Sequence, residues 1–346
     1  MNKLEILCKN LKKDFSPKNL DSQKPARLWS EKDVLDDKIV DTFVIIFRTR
    51  GCSWAFESGC SMCGYFNDSL WKDVSEIDLL KQFENAMKNY SKQKFVKIFT
   101  SGSFLDDKEI TPKVRKQILN KLSENASKIS VESRPEFIND KTLKEIKSIM
   151  NLKNFEIGLG LETGNDFIRK NCLNKGFTFN DYKKAANKLK KYKIDLKTYI
   201  LIKPPFLTEK ESIDDAVKTV EKIKKITDSI SFNPTNVQKN TVVEYLWKRK
   251  QYRPAWLFSI IEILKESKKI VNNMRIKCDI VGGGNPRGAH NCGSCDFNFL
   301  KAVSEFSLKQ QETDIFNNLD CNCREKWLDQ LDFENLGFGS LTNMYG

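Results

Sequence analysis

No stretch of this chain approaches the roughly 20 consecutive apolar residues needed to span a bilayer, and its 346 residues contain no internal repeat or low-complexity tract. The opening segment, MNKLEILCKNLKKDF, is charged throughout and has no apolar core followed by a small-residue cleavage site. These absences argue against a membrane helix and a secretory leader, so a soluble, cytoplasmic protein is expected. Histidine is nearly missing as well, His290 being the only one. A metal site early in the chain would have to be built without imidazole.

Cysteine, by contrast, is abundant. There are ten, and eight fall into two groups: Cys52, Cys60 and Cys63, then Cys278, Cys292, Cys295, Cys321 and Cys323. In a reducing compartment clustered cysteines hold metal more often than they form disulfides. Cys8 and Cys172 stand apart and read as ordinary residues. The formal charge of +13 suits a polyanionic partner, because phosphate contacts dominate nucleic-acid affinity. A Lys-rich solvated surface would give the same number.

Residues 1–40 are polar and read as a helical or irregular extension. Thr42–Arg48 is the first apolar run, as expected of a strand covered on both faces. Strands are then expected at Phe95–Thr100, Lys128–Ser133, Phe155–Leu161, Leu196–Ile202 and Ser229–Phe232, with helical periodicity between them. Thr111-Pro112 has the form of an N-cap followed by an N1 proline. Six strands alternating with helices favour a parallel sheet with right-handed crossovers. The pattern changes after residue ~240: an amphipathic helix over Pro254–Val271, a short strand over Arg275–Val281, a glycine loop at 282–288, then a cysteine-rich tail with a Gly-rich end. The expected division is an extension over 1–40, an α/β barrel over 41–240 and a cysteine-rich region over 241–346.

The first cysteine group directly follows strand one, and ligands of parallel α/β folds bind at strand carboxyl ends. Three thiolates on one loop can hold three irons of a cubane and leave the fourth open to a chelating cosubstrate. A zinc site there would need a fourth ligand. The arrangement resembles the radical S-adenosylmethionine (SAM) superfamily, whose cysteine triplet follows the first strand of a partial (β/α)6 barrel. The superfamily's usual spacing is C-x3-C-x2-C with an aromatic before the last cysteine. Here it is C-x7-C-x2-C, with Met62 at that place.

That resemblance implies a [4Fe–4S] cluster on Cys52, Cys60 and Cys63, with S-adenosyl-L-methionine bound beside it. Ser101, Gly102 and Ser103 match the Gly-rich turn whose backbone holds the methionine amino group. Small residues permit that close approach. Glu132-Ser-Arg134-Pro is similar to a segment of Elongator-type tRNA-modifying radical enzymes. There Glu132 would meet the ribose, and Arg134 would pair with a carboxylate, unless the two form an ion pair in the barrel mouth. Gly160 and Glu162, in Gly158-Leu-Gly-Leu-Glu162, resemble the superfamily's adenine-side motif.

In the tail, Cys292-x2-Cys295 and Cys321-x-Cys323 could complete a closed four-thiolate zinc site. His290 or Cys278 could replace one member; a second iron–sulfur cluster is the rival, and free thiols are the third reading. Taken together, Ile98–Asp106, Arg287–Asp296 with the downstream Cys-x-Cys, and the C-x7-C-x2-C loop resemble the archaeal radical SAM partners of archaeosine synthase. Ala289 departs from the expected proline.

The resemblance implies that a lysine-transferring archaeosine synthase subunit first attaches lysine to a 7-deazaguanine at position 15 of tRNA. The radical enzyme, supplied by a ferredoxin-like electron donor, then removes hydrogen from the lysine carbon beside the amidine nitrogen, and the carbon–nitrogen bond breaks to leave archaeosine. Arg134 or a barrel-mouth lysine such as Lys203 would grip the lysine carboxylate, unless Lys203 is a surface residue. Thiolation or carboxymethylation of tRNA, or a zinc RNA-binding module without chemistry, are the other readings.

Overall fold

Apolar runs bounded by polar turns form the strands of one sheet. The computed structural model describes residues 2–336 apart from 14, 151–153 and 311–312. The Gly-rich end expected beyond Leu336 lies outside the described residues. Eight strands appear in chain order: β1 (Arg27–Leu35), β2 (Lys38–Ile46), β3 (Phe95–Phe99), β4 (Lys128–Ser133), β5 (Asn154–Glu162), β6 (Asp195–Ile202), β7 (Ser229–Pro234) and β8 (Arg275–Cys278). They pair in that same order. β1 runs antiparallel to β2, and every later pair is parallel.

Crossover helices cover the outer face, and their starts are set by local chemistry. The Thr111 hydroxyl accepts from Val114 N, with Pro112 at the first helical position. Thr178 with Asp181, and Thr208 with Glu211, close reciprocal capping boxes. Ile118, Leu143, Leu189 and Val220 project from these helices into one core with Ile98, Val131, Ile157 and Ile200 of the strands. Burying each such side chain contributes about 1.5–3 kcal/mol.

The six expected strands are β2 to β7, but the sheet runs beyond residues 41 and 240 at both ends. β1 was not legible because it lacks an apolar alternation: of its inner residues, Glu31 and Asp33 are acidic. They meet cations of nearby β3 and of the opposite edge strand β8. Lys97 of β3 pairs with Glu31 at 2.5 Å and also with Asp33. Arg275 of β8 reaches Asp33 at 2.5 Å and the Val34 carbonyl at 3.1 Å. The two edge strands thus face each other through charge rather than through a ladder. At this amino end of the barrel, Asp33, Lys128, Glu156, Lys197 and Lys277 line a cavity of about 240 Å³.

Burial pushes the Asp33 pKa up, but Lys97, Lys277 and Arg275 outweigh it and hold the carboxyl well below the ordinary range. A depressed carboxyl contributes stability that is complete above about pH 4, its unfolded value, and is lost as pH falls toward the folded value. Asp33→Asn is expected to cost about 3–5 kcal/mol in urea unfolding at pH 7, because it strips a partner from buried Lys97. The gap from wild type should close in acid; a gap independent of pH would show that the charge does not matter.

Among the described residues, no helix is long and apolar enough to cross a membrane.

Candidate active site and C-terminal metal centre

Parallel strands deliver their following loops to one end of the barrel, and the first cysteine group lies there. After β2 the chain turns through Gly51, at φ +108°, a conformation glycine adopts without steric cost. Cys52 follows, then a single helical turn, Ser53–Glu57. That turn takes up most of the seven residues between Cys52 and Cys60. It closes with Ser58 N and Gly59 N both donating to the Trp54 carbonyl, at 3.0 and 2.8 Å. The long spacing is therefore an inserted turn, which returns Cys60 and Cys63 to the side of Cys52.

The turn is clamped from three directions. The Trp54 indole donates to Asn174 O at 2.7 Å, and the Asn174 amide donates back to Gly59 O at 2.8 Å and Ser58 Oγ at 2.9 Å. The N-terminal helix Lys3–Lys13 lies across the loop, with Lys12 Nζ donating to Ala55 O at 3.0 Å. Ser61 Oγ donates to Cys172 O at 2.6 Å, and Gly64 N donates to Gln238 Oε1.

The turn after β3 presses against Cys52. A Cβ on Gly102 would lie 2.6 Å from Cys52 Cα and 2.8 Å from its Cβ. Glu109 lies beneath, accepting from Thr49 Oγ1 and from Ser103 N, each at 2.6 Å. Burial pushes its carboxyl up to about 7 against those two hydrogen bonds. Ser53 Oγ donates to Asp106, so one segment, Ser101–Glu109, fixes the cysteine loop twice. Gly102→Ala is expected to weaken SAM binding about 10- to 100-fold, the equivalent of the 1–3 kcal/mol that overpacking costs. Calorimetric titration of the reconstituted protein checks it, and unchanged affinity would place the cosubstrate elsewhere.

Arg134, after β4, lies over the rings of Trp54 and Phe177, each 5.5 Å from its guanidinium carbon. Its Nε pairs with Glu136 at 2.5 Å, and Nη2 donates to Lys175 O at 3.0 Å. Its fork is thus already engaged beside the cysteine loop. Glu132 hydrogen-bonds Tyr199 inside the barrel, and burial raises its pKa. Gly158 leaves room for the Tyr199 ring, whose Cε2 would stand 2.5 Å from an added Cβ. Gly160 likewise gives way to the Lys175–Glu162 ion pair of 2.5 Å. Glu162 has φ +67° where the β5–β6 register shifts, a strained setting that recurs at functional sites.

Lys203, expected at the barrel mouth, follows the carboxyl end of β6 there, but its side chain is buried. Its ammonium pairs with Glu209 at 3.0 Å and lies 3.8 Å from Glu334, on the C-terminal helix Arg324–Leu336. It cannot grip a substrate carboxylate without breaking that pair. Cys8 and Cys172 are buried, and desolvation pushes each thiol up to about 12.

The tail brings four sulfurs together. Cys292 lies 3.8 Å from Cys295 and 3.7 Å from Cys321, and Cys295 lies 3.8 Å from Cys323. All four fall within 4.8 Å of one another. Backbone N–H groups, Cys295's foremost, hold the Cys292 thiol down to about 6, favouring the thiolate a metal needs. Asp296 fixes the knuckle by accepting from Asn291 N at 3.0 Å and Gly293 N at 3.2 Å. The two alternates are not part of this set. His290 turns its Nδ1 to Gly288 O at 2.8 Å. Cys278 is buried on β8, where its N–H donates to Ser307 Oγ at 3.0 Å.

Glu109, Lys12, Asn174 and Gln238 were not singled out from sequence. Each is a lone polar residue whose partner lies far along the chain, and no local spacing marks it.

Residues 46–219 match the model of the radical SAM superfamily. The chain is 40% identical over 323 residues to the archaeosine synthase subunit beta of Methanosarcina acetivorans, covering 92% of this chain and 93% of that protein. It is 37% identical over 307 residues to the protein of the same name from Thermococcus kodakarensis, covering 86% and 94%. Among solved structures, methylornithine synthase aligns over 92% of this chain and 93% of its own, with a TM-score of 0.49 and 13% identity. With a cysteine loop seated against the β3 turn and near-full-length identity of this order, the chain belongs to the radical SAM superfamily and, within it, to the family of archaeosine synthase β subunits.

Proposed function

We propose that this chain converts the lysine-modified 7-deazaguanine at position 15 of tRNA to archaeosine by radical cleavage of a carbon–nitrogen bond. It would act with a lysine-transferring synthase subunit and a ferredoxin-like electron donor. The observation that carries the reading is the Cys52–Cys63 loop seated on the Gly102 turn, in a chain 40% identical to a named archaeosine synthase subunit. Cys52, Cys60 and Cys63 would ligate three irons of a [4Fe–4S] cluster. When bound, the cluster would supply one-electron chemistry for the reductive cleavage of SAM.

The chain's own residues hold the reactants and exclude water. Ser101, Gly102 and Ser103 would present backbone to the methionine end, with Glu109 locking that turn to the cysteine loop. Glu132, Arg134, Gly160 and Glu162 would surround the adenosyl end. Arg134, stacked on Trp54 and Phe177, would act as a fixed cation beside the thiolates rather than as a free carboxylate clamp.

For the tail we propose one zinc ion. A tetrahedron with Zn–S of about 2.3 Å has edges of about 3.8 Å, and the sulfur separations of 3.7–3.8 Å agree. Sulfurs bound to separate irons of a cluster would stand farther apart. This spacing counts against tRNA thiolation, the rival expected to need a second cluster.

The test is to incubate anaerobically reconstituted protein with SAM, reductant and tRNA carrying the lysine adduct, then quantify 5′-deoxyadenosine and the modified base by mass spectrometry. Deoxyadenosine matched to archaeosine is expected. Deoxyadenosine with an unchanged base, even after adding the synthase subunit, would overturn the substrate.

A further inference from the structure

The loops after β7 and β8 close one side of the barrel mouth, and they carry a concentration of charge that the site described above does not use. The helix Val242–Lys248 follows β7. Its inner face is fixed to the cysteine loop: Val243 N donates to Ser61 O at 3.3 Å. Val243, Leu246, Trp247 and Tyr252 pack with Met62, Cys60 and Cys63. The outer face and the turn after it read Tyr245, Lys248, Arg249, Lys250, and the neighbouring loop adds Lys239. All four cations are exposed.

The only carboxylate between residues 238 and 253 is Glu244. It is turned inward and held by Arg287 at 2.7 Å. Lys248 approaches it at 3.5 Å while remaining 61% exposed along its side chain. Among the described residues, no carboxylate pairs with Lys239, Arg249 or Lys250. Lys250 has φ +59°, and Gln251 N returns to Leu246 O at 2.9 Å. This tight turn holds three consecutive cations at the rim. Arg249 stacks on Tyr245 at 3.6 Å and Arg287 on Trp247 at 4.9 Å, so guanidinium and aromatic planes are already ordered among the charges. Such interleaving of cations and rings suits an RNA strand, whose phosphates need charge and whose unpaired bases stack on flat groups.

We infer that Lys239, Lys248, Arg249 and Lys250, with Tyr245 among them, form an RNA-backbone contact that seats tRNA beside the cysteine loop. The inference rests on the proposed function and goes beyond it, because it says which part of a generally basic surface makes the contact. The position is what selects this strip: it is the outer side of the helix whose inner side touches the residues around Cys60 and Cys63.

The experiment measures binding of an unmodified tRNA transcript to the reconstituted full chain at several salt concentrations. It compares wild type with a triple variant, Lys248→Ala, Arg249→Ala and Lys250→Ala. A second triple variant, Lys183→Ala, Lys184→Ala and Lys190→Ala, removes equal charge from exposed positions on the helix Phe179–Lys191. Each lost phosphate contact lowers the slope of log K against log salt by about 0.7–0.9. The rim variant should therefore lose about two units of slope and at least tenfold in affinity, while the control changes little. Absorbance near 400 nm and RNA-independent SAM cleavage should be unaltered in both. Equal losses in the two variants, or none in the rim variant, would overturn this surface. If wild type itself does not bind tRNA, the proposed function fails, not merely the placement of the contact.

Discussion

Cys60→Ala is expected to form no 5′-deoxyadenosine above the buffer background and to lack the brown colour and ~400 nm absorbance of a thiolate-held cluster. The reason is positional. Cys60 is delivered to the barrel mouth by an inserted turn pinned by Trp54, Asn174 and Lys12. Cys8, buried on the helix that crosses the loop, is held protonated by burial. Two thiolates do not hold a cubane open at one corner, so the loss should be complete rather than graded. Circular dichroism should remain native, because the loop's hydrogen bonds run through backbone and neighbouring side chains and not through the sulfur. A variant that keeps deoxyadenosine formation would remove Cys60 from the ligand set.

Cys323→Ser is expected to lose about one equivalent of zinc per chain and to undock the C-terminal helix Arg324–Leu336. Structural zinc contributes about 10–16 kcal/mol in small zinc-finger peptides, and Cys323 immediately precedes this helix. The helix's own contacts depend on its lying in place. Trp327 stacks on Phe258 at 5.4 Å and donates to Ser259 Oγ at 2.8 Å. Gln330 accepts from Trp256 Nε1 at 2.6 Å.

Elemental analysis reads the loss of zinc, and tryptophan fluorescence and limited proteolysis read the undocking. Undocking also removes Glu334 from Lys203, leaving Lys203 with Glu209 alone. His290→Ala and Cys278→Ser should keep the metal, since neither residue reaches the four-sulfur set. Full zinc in Cys323→Ser, or roughly eight irons and no zinc in wild type, would refute the single-ion reading.

Much of the fold was legible because the parallel strands β2 to β7 are buried on both faces and read as apolar runs between capped helices. The edges were not. β1 carries acids where a strand should show an apolar stripe, and only the cations of β3 and β8, brought opposite by closure of the sheet, explain them. β8 read as a strand, but nothing local assigns it to the same sheet as β7. In the tail, spacing left His290 and Cys278 open as ligands. The turn of His290 toward Gly288 and the place of Cys278 in β8 separated them from the metal set.

The sequence by itself determined the superfamily and its candidate residues: three cysteines after a buried strand, a small-residue turn after the next, and a C-x2-C with a distant C-x-C. These patterns are local, and residue type with spacing carries them. The tertiary structure decided how far each expected residue is free to act. It engaged Arg134 with Glu136 and Lys175, buried Lys203 against Glu209, placed Glu109 beneath the Gly102 turn and laid a basic helix over the cysteine loop. Those outcomes depend on pairs separated by tens to hundreds of residues. The energy of such a pair comes from burial and distance, and a linear sequence records neither.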